Sequence, residues 1–314
     1  MGNIANGPTL LRVNTPGKKV LFIVNKYAGT GYQPAVEGRI IDACERADAE
    51  CTIEFTRAPG HAVELAEQAR QQGFDFVVAV GGDGTINEVA RGALKANIPM
   101  GLIPRGSGNG LSRHLGIPLG VADAAQSLFQ STIVPMDAFT VNGKLSLNVS
   151  GIGFDGHIAN LFGGTSKRGL AGYARLTMQE FFAFREFEAE IEIAGKRNTV
   201  NAFIIAIANS SQYGNNARIA PRASVTDGLL HINTMKKVPV YRLDFIYNMF
   251  AGDVGKTSFC DVREAPSLVI RTSKPVAYHV DGEPSGHNTE FKIEVLPGAI
   301  QILAPAVGKR VAKR

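Results

Sequence analysis

The residues with the clearest chemical meaning lie in Gly81-Gly82-Asp83-Gly84-Thr85, between an apolar β-rich run and a helical one. Glycines there let the backbone turn tightly and bring N–H groups against a phosphate, while the following helix N-terminus adds positive potential. This loop has neither G-x-x-x-x-G-K-[ST] nor G-x-G-x-x-G spacing, so it is a different way of holding phosphate. A carboxylate beside a phosphate is repulsive unless it holds a metal or takes a proton, which makes Asp83 the informative residue. An ordinary glycine turn is the competing reading. Thr85-Ile86-Asn87-Glu88 has the S/T-x-x-E spacing of a capping box, which accounts for Glu88 as structural and leaves Thr85 to cap the helix and touch phosphate. A second loop, Pro104-Arg105-Gly106-Ser107-Gly108-Asn109-Gly110, also follows a strand and could bring Ser107 and backbone amides to a nucleotide. Further on, Val280-Asp281-Gly282-Glu283-Pro284 has the composition of a β-turn, which explains every residue except Glu283.

The elements that must position these loops fall into two regimes. Val20 to Val24, Cys51 to Phe55, Phe74 to Val80 and Met100 to Ile103 read as strands. Tyr32 to Ala47, His61 to Gln72 and Thr85 to Ala96 read as helices, the second stopping at Gly73. Apolar strands alternating with helices indicate a parallel sheet covered on both faces. Beyond Asp137 the pattern changes to alternating segments: Ala189 to Ile193, Ala202 to Ala208, Leu229 to Asn233, Leu268 to Arg271, Val276 to Val280 and Phe291 to Val295. These predict antiparallel sheets, with Ala194-Gly195-Lys196-Arg197 as a turn and helical inserts at Tyr173–Arg185 and Val240–Ala251. The domains expected are 18–137, an α/β nucleotide-binding domain, and 138–300, a β-rich second domain. Residues 301–314 are read as a segment returning to the first domain and ending in a basic tail. The cleft between the domains is the default site.

Composition narrows the class. The 314 residues exceed what one core usually serves, and 45% hydrophobic with 19% charged residues is an ordinary globular balance. A net charge of +5 helps attract ATP or an anionic membrane but is too small and scattered to argue for nucleic acid. The tail residues Lys309, Arg310, Lys313 and Arg314 could add weak membrane affinity, or could be a solvated end. Three cysteines without C-x-x-C spacing argue against a disulfide framework or zinc site and for a reducing cytosol. No apolar run reaches the roughly 20 residues of a membrane span, and Met1 to Asn6 lacks secretory and myristoylation signals. The expectation is a cytoplasmic protein, for which any lipid substrate would have to be met transiently at the bilayer surface.

The loops, taken together, resemble the signature blocks of the diacylglycerol kinase catalytic-domain family, which includes bacterial lipid kinases and sphingosine kinases. Matching residues follow in order over about residues 18 to 305. They are Asn25 with Gly29 and Gly31, Thr56, the two glycine loops, and Asn148 through Gly153-Phe154-Asp155. After these come Asn209, Tyr213-Gly214, Pro221, Asp227-Gly228-Leu229-Leu230 and Asp281-Gly282-Glu283. GGDGT alone also occurs in NAD kinases; the ordered set is more specific. The resemblance implies an α/β N-terminal nucleotide-binding domain of the NAD kinase/diacylglycerol kinase-like type and a C-terminal antiparallel β-sandwich, with ATP in the cleft. It places Asn25, Thr56, Gly81, Gly82, Asp83, Gly84, Thr85 and Ser107 on the nucleotide side. Arg168 and Arg175 fall where sphingosine-kinase-like members have phosphate-contacting arginines, a solvated helix face being the alternative. Asp155 is implied near the acceptor hydroxyl, Glu283 as general base across the cleft from Asp83, and Asp227 with main-chain oxygens of Ser224 and Leu229 as a structural metal site. The sequence departs from the family at Asn25-Lys26, usually Asn-Pro, and at Gly214-Asn215-Asn216, usually a glycine run.

The function expected is Mg²⁺-assisted transfer of the ATP γ-phosphate to a lipid hydroxyl, of diacylglycerol or a sphingoid base. Asp83 is assigned to metal and phosphate and Glu283 to the base role, an order that could be exchanged. Phe181, Phe182, Phe184 and Phe187 could line an acyl-chain channel or pack a helix on a sheet. A soluble-metabolite kinase of NAD kinase type and a catalytically silent lipid-binding module are the rivals, and a homodimer stays open.

Overall fold

The computed structural model describes residues 11–12, 16–29, 31, 33–162, 170–239, 241 and 257–305, with backbone alone at 11–12 and 170–176. The chain divides into two compact units. One takes residues up to Gly106, Leu115–Met136 and those from Ile300 on; the other takes Ser107–His114 and Asp137–Ala299.

After a short β1 (Leu11–Arg12), the first unit follows the apolar runs. β2 (Lys19–Val24), α1 (Ala35–Arg46), β3 (Glu50–Phe55), α2 (His61–Ala69), β4 (Phe76–Gly81), α3 (Asp83–Ala96) and β5 (Met100–Pro104) succeed one another. The pairs β2–β3, β2–β4 and β4–β5 are all parallel, and Ile302 pairs parallel with Met100 to extend the sheet beyond β5. Every residue of β4 and β5 is buried, as strands covered on both faces require. α2 packs on α3, and α1 packs on a later helix of this unit, α5. α4 (Gly110–His114) precedes α5 (Val121–Leu128) and belongs to the second unit. The α2–α3 approach is closest at Gly92, where a Cβ would lie 2.4 Å from the Val63 carbonyl oxygen.

The second unit is antiparallel throughout. β6 (Ser131–Val141) and β7 (Lys144–Ser146) form a hairpin, followed by β8 (Val149–Gly153), α6 (Phe154–Phe162) and α7 (Leu170–Ala183). Then come β9 (Phe187–Ile193), β10 (Lys196–Ala202), β11 (Ile204–Ala208), β12 (Leu230–Met235), β13 (Cys260–Ala265), β14 (Ser267–Val280) and β15 (Glu283–Pro305). The order β13-β12-β11-β8-β14-β15 makes one layer, and β9 with β10 joins through the first half of β14. A register shift between Arg271 and Val276 lets β14 pair with β9 early and with β8 late, so one strand serves both layers of a sandwich. The core between them is aliphatic, with Phe139 and Phe291 wholly buried in it. On the outside, Arg271 bridges Glu192 at 2.7 Å and Glu290 at 3.0 Å across neighbouring strands. These half-exposed pairs support register more than stability.

The turns obey local chemistry. Ala194 and Gly195 both have positive φ, 49° and 75°, and join β9 to β10; Asp281 and Gly282, at 49° and 86°, join β14 to β15. Two positive φ values in a two-residue loop match the right-handed twist of the strands they connect. The helical insert expected at Tyr173–Arg185 is α7. The insert expected at Val240–Ala251 falls outside the described residues apart from Tyr241, and the basic tail falls outside them entirely.

Candidate functional site

In the first unit, four loops leave the C-terminal ends of adjacent parallel strands: Asn25 after β2, Thr56 after β3, Gly82 after β4 and Arg105 after β5. That edge is where open parallel sheets bind ligands. The loops are tied together. Asn25 N–H donates to Val80 O at 3.0 Å, Thr56 N–H to Val24 O at 3.0 Å, and Arg105 N–H to Gly81 O at 2.7 Å. The Asn25 amide donates to Thr85 Oγ1 at 3.0 Å, while its Oδ1 accepts from Tyr27 N–H at 2.9 Å. Gly81 can only be glycine, because a Cβ there would lie 2.5 Å from Thr85 Oγ1.

The capping-box expectation is corrected here. Gly82 is the N-cap of α3 in extended conformation, Asp83 opens the helix, and Thr85 lies inside its first turn. Thr85 is occupied by Asn25, and Glu88 accepts from Gly60 N–H at 2.9 Å instead of closing a box. The helix starts earlier than the spacing suggests because glycine without a side-chain cap leaves the first N–H groups for another acceptor. Next to this turn, Arg105 Nη2 donates to Gly31 O at 2.7 Å, and its Nη1 is buried without a hydrogen-bond partner among the described residues. A helix N-terminus, a glycine turn, a carboxylate at the first helical position and an unsatisfied guanidinium N–H suit an anion accompanied by a cation.

In the second unit, Ser107 is exposed in the second glycine loop. Behind it, Asn109 bridges Gly214, and Gly108 O accepts from Asn215 N–H at 3.2 Å and from Arg113 Nε at 3.2 Å. Asp155 sits in the first turn of α6 with its carboxylate nearly saturated. Oδ1 accepts from Gly156 N–H at 2.8 Å; Oδ2 accepts from the Tyr213 hydroxyl at 3.0 Å and faces His279 Nε2 at 3.2 Å. The space for it exists because residue 151 is glycine: a Cβ there would lie 1.8 Å from Asp155 Oδ2. Burial, reinforced by the charge and hydrogen bond of Asp155, pushes the Tyr213 phenol well above its ordinary value.

Glu283 is the first residue of β15, exposed, with a carboxylate free of hydrogen bonds among the described residues. Its neighbour Asp281 is an anchor, accepting from Ser146 Oγ at 2.6 Å, Leu147 N–H at 2.8 Å and Asn148 N–H at 3.0 Å. Sequence reasoning assigned Asp281 to a turn and missed this role. It also missed His279, although alternation along β14 sends Val276, Tyr278 and Val280 to the core and so turns His279 toward α6.

Asp227 is exposed and engages its own turn, Oδ1 accepting from Leu229 N–H at 3.1 Å, while Ser224 Oγ accepts from Thr226 N–H at 3.3 Å. Its second oxygen and the main-chain oxygens of Ser224 and Leu229 are hard donors of the type that Mg²⁺ or Ca²⁺ takes. Arg168 lies outside the described residues, and so does the side chain of Arg175 in α7. The phenylalanines divide. Phe181 and Phe184 pack edge-on against Phe154 at 5.8 and 5.7 Å and also against Phe203, as a helix packed on a sheet does. Phe182 is 61% exposed, and Phe187 belongs to β9. Lys237 closes the end of α7, its Nζ donating to the carbonyls of Phe182 and Phe184 at 3.2 and 2.7 Å.

Comparison with known proteins agrees with this layout. Residues 19–141 match the family described as "Diacylglycerol kinase catalytic domain", and residues 149–304 match the "YegS C-terminal NAD kinase beta sandwich-like domain". A Pseudomonas aeruginosa protein named "Probable lipid kinase YegS-like" is 30% identical over 92% of this chain and 95% of its own length. The diacylglycerol kinase of Bacillus subtilis is 28% identical over 86% of this chain and 91% of its own. A solved Bacillus anthracis structure superimposes with a TM-score of 0.75 at 26% identity, covering 92% of this chain and 98% of that one. With both halves matched in order and the identity carried over nearly the whole chain, this protein belongs to the diacylglycerol kinase catalytic-domain family of lipid kinases.

Proposed function

We propose that this protein uses ATP to phosphorylate a hydroxyl group of a lipid, with diacylglycerol, the acceptor named for relatives, or a sphingoid base as the candidates. The observation that carries this reading is the row of four loops at the C-terminal edge of the parallel sheet, with the glycine turn opening α3. The nucleotide residues are Asn25, Thr56, Gly81 to Thr85 and Ser107, with Arg168 and Arg175 as further phosphate contacts. Arg105, whose Nη1 lacks a partner among the described residues, joins them as a donor to phosphate. Phosphoryl transfer needs positioning and charge neutralisation more than covalent chemistry.

Mg²⁺ fits the first unit. It takes one or two carboxylates and completes its shell with phosphate oxygens and waters, a demand that Asp83 meets at the head of α3. When bound, it neutralises charge on the transferring phosphate. Asp227, with the main-chain oxygens of Ser224 and Leu229, would hold a second, structural ion. Glu283, exposed and with a carboxylate free of hydrogen bonds among the described residues, takes the hydroxyl proton; Asp155 orients the hydroxyl. The protein meets the lipid at a membrane surface, with no helix among the described residues long and apolar enough to cross it.

Labelled ATP offered with diacylglycerol, monoacylglycerol, sphingosine, ceramide and NAD, each with and without Mg²⁺, tests the reading. Label should enter a lipid only in the presence of Mg²⁺. Label entering NAD alone would replace the lipid acceptor with a soluble one.

A further inference from the structure

His279 is buried on the face of β14 that packs against α6, where Gly156 brings the helix so near that a Cβ would lie 2.5 Å from the Ala277 carbonyl oxygen. The two nitrogens of its ring have different partners. Nδ1 accepts from Gly282 N–H at 3.0 Å, and a backbone N–H can only donate, so Nδ1 carries no proton. The ring is therefore the neutral Nε2–H tautomer, and the proton on Nε2 points at Asp155 Oδ2, 3.2 Å away.

We propose that His279 is a positioning residue for phosphoryl transfer: the ring, locked by the β14–β15 turn, donates through Nε2 to orient Asp155 toward the acceptor hydroxyl. This rests on the lipid kinase reading of Asp155. A carboxylate offers about four acceptor positions. Tyr213, His279 and Gly156 occupy three, leaving one for an alcohol O–H. Both donors to Oδ2 come from residues with rigid rings, so the carboxylate has one stable orientation. The ring is fixed in turn because Gly282 belongs to a turn anchored by Asp281 to Ser146, Leu147 and Asn148.

Two substitutions separate the ends of the ring. His279→Gln keeps a donor near the Nε2 position and loses the Nδ1 acceptor; His279→Asn keeps the acceptor and loses the donor. His279→Asn should lower kcat about 10- to 100-fold, the worth of one hydrogen bond to a charged group. His279→Gln should stay within about 3-fold of wild type, and the KM for ATP should be unchanged in both. Equal losses in the two variants, or a rise in the KM for ATP that tracks the loss, would overturn the proposal. Two readouts need neither ATP nor lipid. Nitrogen-15 shifts should show a protonated Nε2 and a bare Nδ1, and a protonated Nδ1 would refute the link. Tyr213 should ionise at lower pH in His279→Asn, where Asp155 swings away, and stay high in His279→Gln; identical titrations would also refute it. A protein showing these ring and phenol responses while phosphorylating no lipid would overturn the kinase reading and leave the control of Asp155 standing.

Discussion

Gly151→Ala tests why Asp155 stands where it does. A Cβ at residue 151 would lie 1.8 Å from Oδ2, 2.5 Å from Cγ and 2.8 Å from Oδ1, so the whole carboxylate must leave. With it go the hydrogen bonds from Tyr213 and His279. Bonds to a charged acceptor contribute roughly 1.5–3 kcal/mol each, about 3–6 kcal/mol for the pair. Alanine is favoured over glycine in a strand by roughly 0.5–1 kcal/mol, and the displaced carboxylate regains some hydration. The expected net loss is about 2–4 kcal/mol in urea unfolding at neutral pH. The cause is tested by a double-mutant cycle with Asp155→Ala, which removes the atoms that clash. The double variant should be at least about 2 kcal/mol more stable than the sum of the single losses predicts. Additivity within about 0.5 kcal/mol would show that the destabilisation has nothing to do with the Asp155 carboxylate.

Asp83→Asn should lower turnover by about 10²-fold or more while leaving the urea midpoint unchanged, because the residue opens a helix outside the core; a variant above a tenth of wild-type turnover would refute its phosphate and metal role. Glu283→Gln should lower kcat about 10²–10⁴-fold with ATP affinity nearly unchanged; a large loss of ATP affinity with little change in kcat would make it a nucleotide or metal ligand and pass the base role to Asp83. The three cysteines should differ in alkylation at pH 8. The Cys44 thiol donates to Cys51 and lowers its pKa, that same contact and burial raise Cys44, and burial with the charge of Asp261 pushes Cys260 up to about 12. Peptide mapping after brief iodoacetamide treatment should find Cys51 labelled first; preferential labelling of Cys260 would contradict this order. Cys260, whose folded pKa is raised, contributes stability that is complete below pH 9 and is lost as pH rises toward 12, so urea midpoints should fall across that window and fall less in Cys260→Ala.

Local chemistry determined much of this protein without help from tertiary structure. Apolar runs long enough for a strand and flanked by helical periodicity require a covered parallel sheet, and β2, β3, β4 and β5 follow them closely. Alternation requires one wet and one buried face, and the second unit is antiparallel accordingly. The positive-φ turn at Asp281-Gly282 is written in its residue types, whereas at Ala194-Gly195 only the glycine favours a positive φ. The glycine loops and their order were enough to suggest the family. What the sequence could not decide is who shares whose hydrogen bonds across long separations. Thr85 and Glu88 have the spacing of a cap, yet Asn25 and Gly60 claim them from 60 and 28 residues away. The cluster of phenylalanines carries no mark telling that Phe181 and Phe184 pack inward while Phe182 faces solvent. His279 reads as one polar residue in an alternating strand, and Gly151 as one more glycine. Only the packing of α6 on β8 and β14 brings Asp155 into the space that Gly151 leaves and sets it between Tyr213 and His279. Side-chain periodicity reports which face a residue occupies; which partner waits there depends on strand order and register, and those are settled by the whole chain at once.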